Sequence, residues 1–211
     1  MVQIKTKRER VQFASDNVTG ACPEVLEAIL KANDGDRSPY GNDQISTDLQ
    51  NKFSEIFEKK VIVFPTASGT ASNALALSTM TPSFGNIYCH RFSHINTDEC
   101  GAPEFYTGGA KLVNINGIDG KITAKELDEN IKGKDIVHHT QPSSVSITQL
   151  TETGEAYKLD EIKDISEIAH RHKLNIHMDG ARFANALVSL NCSPAEMTWK
   201  SGIDVLSFGA T

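Results

Sequence analysis

Four short segments of this 211-residue chain hold residue types that could do chemistry, and each follows or ends an apolar run. The first is Phe64-Pro65-Thr66-Ala67-Ser68-Gly69-Thr70-Ala71-Ser72-Asn73, leading into the helical pattern Ala74–Met80. Small hydroxylated residues and a glycine just before a helix expose backbone N–H groups at its positive end, which suits a phosphate. The same residues also make an ordinary capping turn, and no Gly-Lys-Ser/Thr follows, so this is not a Walker loop. The second segment is Asn175-Ile176-His177-Met178-Asp179-Gly180-Ala181-Arg182. A carboxylate leaving a buried strand needs a cation or hydrogen bonds. Asp179 and Arg182 are therefore either a structural ion pair, or a carboxylate set against a protonated ring nitrogen beside an arginine free to grip an anion at two points. The third, Arg91-Phe92-Ser93-His94, ends in a histidine that is either a satisfied core or surface residue or a working imidazole. The fourth is Asp204–Thr211, a strand pattern closing in small residues. His138-His139 are adjacent on an extended segment and point to opposite faces, with no third ligand at metal spacing, so no metal is assigned.

These segments need a frame that brings strand ends together. Strand candidates are Val61–Phe64, Asn86–His90, Lys111–Asn116, Ser144–Gln149, Asn175–Met178 and Val205–Phe208. Between them Asp48–Lys59 places Leu49, Phe53, Ile56 and Phe57 on one helical face, with Thr47 and Gln50 as a capping box. Thr123 and Glu126 open a second helix in the same way, and Leu159–His172 is amphipathic at helical spacing. Apolar strands separated by such helices predict an α/β class with a mostly parallel sheet covered on both faces. Open sheets of this kind bind ligands beyond the carboxyl ends of their strands. Residues 1–45 fall outside the alternation and read as an arm with one helix near Pro23–Ala32; residues 46–211 form the large domain.

Composition narrows the function. The 21 basic and 27 acidic residues give a net charge of −6, which removes the basic stripe that a nucleic-acid or anionic-membrane binder needs. No run approaches a membrane span, and the basic N-terminus lacks the apolar stretch of a signal peptide. Four dispersed cysteines read as free thiols of a cytoplasmic protein. No GxGxxG turn follows the first strand candidate, which places a nicotinamide-binding protein last among the readings.

Five segments, in order, resemble the threonine aldolase and β-eliminating lyase group of pyridoxal-phosphate (PLP) enzymes. They are Phe13-Ala14-Ser15-Asp16-Asn17, Tyr40-Gly41-Asn42-Asp43, Ser68-Gly69-Thr70, Ser93-His94, and His177-Met178-Asp179-Gly180-Ala181-Arg182. The resemblance implies the three-layer aspartate-aminotransferase-like fold (fold type I), with 46–211 as an incomplete PLP-binding large domain. It also implies that the family's Schiff-base lysine comes directly after Thr211, where a modified lysine is expected to interrupt the sequence, and that the C-terminal small domain lies outside this chain.

Residue by residue, the resemblance implies that Ser68, Gly69 and Thr70 hold the cofactor phosphate. His94 stacks on the ring and accepts the substrate hydroxyl proton. Asp179 pairs with the pyridine nitrogen, and Gln149 contacts the ring 3-hydroxyl. Arg182 and Ser15 grip the substrate carboxylate, and Tyr40 approaches the site of a partner subunit in a homodimer or homotetramer. The implied reaction is retro-aldol cleavage of L-threonine or L-allo-threonine to glycine and an aldehyde. The alternatives are β-elimination on another amino acid, or a non-catalytic module if Thr211 is the true C-terminus. One departure stands out: where many threonine aldolases have Glu-Asn-Thr-His-Asn, this chain has Ile147-Thr148-Gln149-Leu150-Thr151-Glu152, without a histidine.

Overall fold

A computed structural model describes residues 18–210. They fall into two compact units, the first ending at Asp43 and the second spanning Gln44–Ala210. In the first, α1 (Pro23–Ala32) starts with proline in its first turn, where a missing N–H costs nothing, and buries no residue.

The second unit is a five-stranded parallel sheet of order β2-β1-β3-β4-β5, with helices on both faces. Its elements are α2 (Gln44–Ile56), α3 (Gly69–Met80), β1 (Gly85–His90), α4 (His94–Thr97), α5 (Ala102–Tyr106), β2 (Lys111–Ile115), α6 (Ala124–Asn130), β3 (Gln141–Thr148), α7 (Leu159–Arg171), β4 (Asn175–Gly180), α8 (Phe183–Leu190), α9 (Pro194–Met197) and β5 (Val205–Phe208). Side chains alternate across the sheet as the two-residue strand period requires. Tyr88, Val145, Ile147, Ile176 and Met178 pack with Ile162 and Ile165 of α7, while Ile87 and Cys89 pack with Leu77 of α3. The strand order steps from β1 out to β2 and then back across to β3. The crevice at that reversal, beyond the carboxyl ends of β1 and β3, is where an open α/β sheet takes ligands. Among the described residues, no helix is long and apolar enough to cross a membrane.

Five of the six expected strands form; Val61–Phe64 does not. Its backbone is taken by side chains of α2 instead of by a strand. The Gln50 amide donates to the Val63 carbonyl at 2.7 Å and accepts from the Val63 N–H at 2.8 Å, while Ser54 Oγ accepts from the Val61 N–H at 3.2 Å. The expected Thr47–Gln50 capping box fails for the same reason. The helix begins four residues earlier, at Gln44, so Thr47 lies inside it and Gln50 is committed to Val63. The Thr123–Glu126 capping box forms as expected. Gln50→Ala leaves two backbone groups without their partners, so it should lower stability by about 1–2 kcal/mol, read as a lower urea midpoint. An unchanged midpoint would mean that water replaces the amide fully.

Candidate active site

β4 carries its polar residues on the face turned toward α3. His177 is fully buried and spans the sheet sideways, with Ser146 Oγ 2.9 Å from Nδ1 and Ser207 Oγ 2.9 Å from Nε2. Burial drives its pKa down to about 4 against the pull of the Asp179 charge, so this imidazole is neutral and structural. Two residues on, Asp179 emerges at the strand's carboxyl end, 5% exposed. Its Oδ1 accepts from the Ala181 N–H at 3.1 Å and its Oδ2 from Asn73 Nδ2 at 3.0 Å. Gly180 follows because β5 comes close: a Cβ there would lie 2.7 Å from Leu206 Cδ1 and 2.8 Å from the Ser207 carbonyl.

The structural Asp–Arg pair is absent. The Arg182 guanidinium turns away to Glu152, with Nη2 2.9 Å from Oε2, and also donates to the Leu150 carbonyl at 3.2 Å. Asp179 is left buried with two hydrogen bonds and no ion pair among the described residues. Arg182 is not free either, since a carboxylate already occupies it.

Asn73 links this carboxylate to the rest of the site. Its Nδ2 donates both to Asp179 and, at 2.7 Å, to Glu99 Oε1, and that same oxygen lies 2.8 Å from His94 Nδ1. The Glu99 side chain is wholly buried, whereas that of His94 is 41% exposed. Burial raises the Glu99 pKa against the hydrogen bonds from His94 and Asn73. Burial works to lower that of His94, but the Glu99 hydrogen bond and charge, together with the charges of Asp179 and Glu152, outweigh it and raise the imidazole above its usual value. Both shifts favour retaining a proton in the pair. When His94 is neutral, Nδ1–H donates to Glu99 and Nε2 is the nitrogen left to accept a proton. The tautomer follows from that contact.

One helical turn before Asn73, α3 starts. Ser68 caps it by accepting the Ala71 N–H at 3.2 Å. The Gly69 and Thr70 N–H groups then have no acceptor within the helix, and a Cβ placed on Gly69 would meet nothing within 4 Å. Four residues at 1.5 Å rise put this terminus about 6 Å along the axis from Asn73. Asn73 Oδ1 and Glu99 Oε2 are buried without hydrogen-bond partners.

The predicted site residues do not all meet. Ser68, Gly69, Thr70, His94 and Asp179 are brought together through α3 and Asn73. Arg182 sits one turn past Asp179 but is engaged by Glu152. Gln149 adjoins the group through its backbone, its N–H donating to the Asp179 carbonyl at 2.8 Å, while its fully buried side chain is engaged elsewhere, Nε2 donating to the Tyr157 carbonyl and Met197 Sδ and Oε1 accepting the Tyr157 N–H. Tyr40 belongs to the other unit, 97% exposed with a φ of 63°. Ser15 and its Phe13–Asn17 motif lie outside the described residues. Sequence reasoning missed Glu99, Asn73 as a bridge, and Glu152 as the partner of Arg182. Asn73 carried a usable signal, one turn into the helix that Ser68 caps. Glu99 follows another acid, Asp98, and only the fold tells them apart.

The family model for beta-eliminating lyases matches residues 12–211. The chain belongs to that family. Within the beta-eliminating lyases it is 46% identical over 200 residues to a low specificity L-threonine aldolase from Pseudomonas sp. (strain NCIMB 10558), covering 95% of this chain and 58% of that relative. The chain therefore spans somewhat more than half the length of the curated relatives it matches. Among solved structures, the threonine aldolase of Leishmania major superposes with a TM-score of 0.80 at 27% identity, over 85% of this chain and 53% of that one. A Thermus thermophilus aspartate aminotransferase superposes at 0.54 with 13% identity, over 74% and 42%, and this likeness concerns the fold alone. The expected three-layer, aspartate-aminotransferase-like architecture is the one these beta-eliminating lyase residues adopt.

Proposed function

We propose that this chain is the cofactor-binding part of a PLP-dependent lyase that cleaves L-threonine and related β-hydroxy amino acids to glycine and an aldehyde. The observation that carries the reading is Asp179, a buried carboxylate with no cation of its own, in the same hydrogen-bonded network as an imidazole and beside an open helix N-terminus. An uncompensated buried charge is costly, and a protonated ring nitrogen is the counter-charge that would relieve it. The donor set therefore fits PLP: the Ser68-Gly69-Thr70 terminus offers N–H groups to a phosphate, and Asp179 offers an acceptor to the ring nitrogen. When bound, PLP withdraws electrons from the amino-acid Cα, so that a bond at that carbon can break. The similarity to L-threonine aldolases supports Cα–Cβ cleavage as that bond.

The chain's own residues supply the rest. His94 Nε2 takes the proton of the substrate hydroxyl, and Glu99 holds the imidazole in the tautomer that leaves Nε2 free. Arg182 binds the substrate carboxylate by exchanging it for Glu152, which occupies the guanidinium in the absence of substrate. Ser15 would join Arg182 there, and Tyr40 would serve a partner subunit's site in a homodimer or homotetramer. Exposed Phe64, Phe105 and Tyr106 are side chains suited to cover in such an assembly. The free thiols of Cys22, Cys89, Cys100 and Cys192 fit a reducing cytoplasm.

The full-length protein titrated with PLP should develop a visible absorption band that saturates and that borohydride bleaches. No band at any PLP concentration would overturn the reading. Two substitutions test Arg182 further. Arg182→Lys loses the planar two-point grip and should raise KM for threonine about tenfold with little change in cofactor affinity. Glu152→Gln removes the competing carboxylate and should lower KM without lowering kcat. If Arg182→Lys releases cofactor instead, the arginine serves the cofactor and not the substrate.

A further inference from the structure

We infer that Asn73 is a positioning residue of this site, one that holds the Glu99 carboxylate so that it orients His94. The inference rests on the reading of His94 as the base. Asn73, Glu99 and Asp179 are all buried and come from three separate elements: α3, the turn between α4 and α5, and the end of β4. One amide nitrogen joins them. Asn73 Nδ2 donates one hydrogen to Glu99 Oε1 at 2.7 Å and the other to Asp179 Oδ2 at 3.0 Å. Ionised carboxylates only accept, so the amide cannot turn over without setting its oxygen against two acceptors.

The need for such a residue follows from charge. At a trigonal nitrogen, two bonds of these lengths put the carboxylate oxygens about 5 Å apart. Like charges that close in a buried site push one of the groups to take a proton. Burial and the Asp179 charge both favour a proton on Glu99, and the hydrogen bonds from His94 and Asn73 oppose it. The other charged group facing the pair is Glu152, from the loop after β3, which acts on His94 and is itself paired with Arg182. His177, which feels the Asp179 charge, is neutral. Without Asn73 the balance tips. A protonated Glu99 would donate to His94 Nδ1 and move the ring proton to Nε2, the nitrogen that the reaction needs bare.

The place of Asn73 on α3 ties this to the cofactor seat. Gly69 and Asn73 are four residues apart and share a helix face. The terminus offered to a phosphate and the amide that sets His94 therefore belong to one rigid element. Through its second hydrogen, Asn73 also holds the carboxylate offered to the ring nitrogen. One helix and one side chain thus keep the phosphate seat, the ring-nitrogen partner and the base in fixed relation.

The test is nitrogen NMR of the histidine-labelled full-length protein, with the His94 ring followed through a pH titration. In the wild type, neutral His94 should carry its proton on Nδ1. Asn73→Leu keeps the volume and removes both donors. It should hold the proton of the His94–Glu99 pair to higher pH and shift the neutral ring toward the Nε2–H form. Asn73→Ser, with one donor for two carboxylates, should shift the same way by less, and it carries the test if the leucine variant does not fold. In a Glu99→Gln background, Asn73→Leu should leave the His94 titration unmoved, because the route through the carboxylate is gone. In the PLP-loaded enzyme, Asn73→Leu should lower kcat for threonine about 10–100-fold with KM unchanged, the worth of a hydrogen bond to a charged group. A His94 ring that titrates as in the wild type in the folded Asn73 variants would overturn the proposal. The ring signals need no turnover, so a protein that shows these shifts yet fails to cleave threonine would refute the reaction and leave Asn73 in this role.

Discussion

Asp179→Asn is expected to keep its cofactor and lose about 10²–10³-fold in turnover, the usual worth of a single preorganised electrostatic partner of the developing charge. Asn73 and the Ala181 N–H both donate to Asp179, and an asparagine can orient its carbonyl oxygen toward only one of them. What it cannot do is hold a proton on a ring nitrogen. Because the wild-type carboxylate is buried without an ion pair, removing its charge should leave the melting temperature unchanged or higher. This outcome separates function from structure. A residue that served only the fold would show a lower melting temperature with turnover intact, and that combination would remove Asp179 from the chemistry.

The second large effect is expected at His94. His94→Phe keeps an aromatic face but has no proton acceptor, so cofactor absorption should persist while turnover falls about 10²–10⁴-fold. His94→Ala should loosen the cofactor as well. The pH profile gives an independent reading of the pair. A base must be unprotonated to act, and Glu99 raises the His94 pKa, so the acidic limb of kcat/KM should lie above the ordinary histidine value. Glu99→Gln removes the charge that raises it, and the limb should move to lower pH. If His94→Phe retains most of its activity, the proton goes elsewhere; if Glu99→Gln leaves the limb in place, the carboxylate does not govern the imidazole.

Much of this was legible in the chain because the signals are local. Apolar runs placed β1, β2 and β5 to within one residue and β3 and β4 to within three, and Thr123–Glu126 capped α6 as read, since both depend on neighbours within a few positions. Val61–Phe64 failed because a β-rich run cannot state whether its backbone partner is a strand or the side chains of α2; Gln50, thirteen residues away, decided that. The site divides along the same line. Ser68-Gly69-Thr70 announces a helix start by its own composition, and Asp179 stands out at a strand end. Arg182, by contrast, sits three residues from Asp179, and sequence proximity suggested a pair that the turn after β4 prevents by aiming the guanidinium at Glu152. Gln149 is polar at a strand end and reads like a ligand-binding amide, yet Tyr157, eight residues on, consumes both ends of it. Long-range commitments of side chains are settled by packing, and the sequence does not print them.

The central claim is that this site breaks the Cα–Cβ bond of a β-hydroxy amino acid. Incubating the PLP-loaded protein with L-threonine, and quantifying glycine, acetaldehyde and ammonia in the same sample, tests it directly. The account predicts glycine and acetaldehyde in equal amounts with no ammonia above the blank. Ammonia with no glycine would mean elimination at the β-carbon and would contradict it.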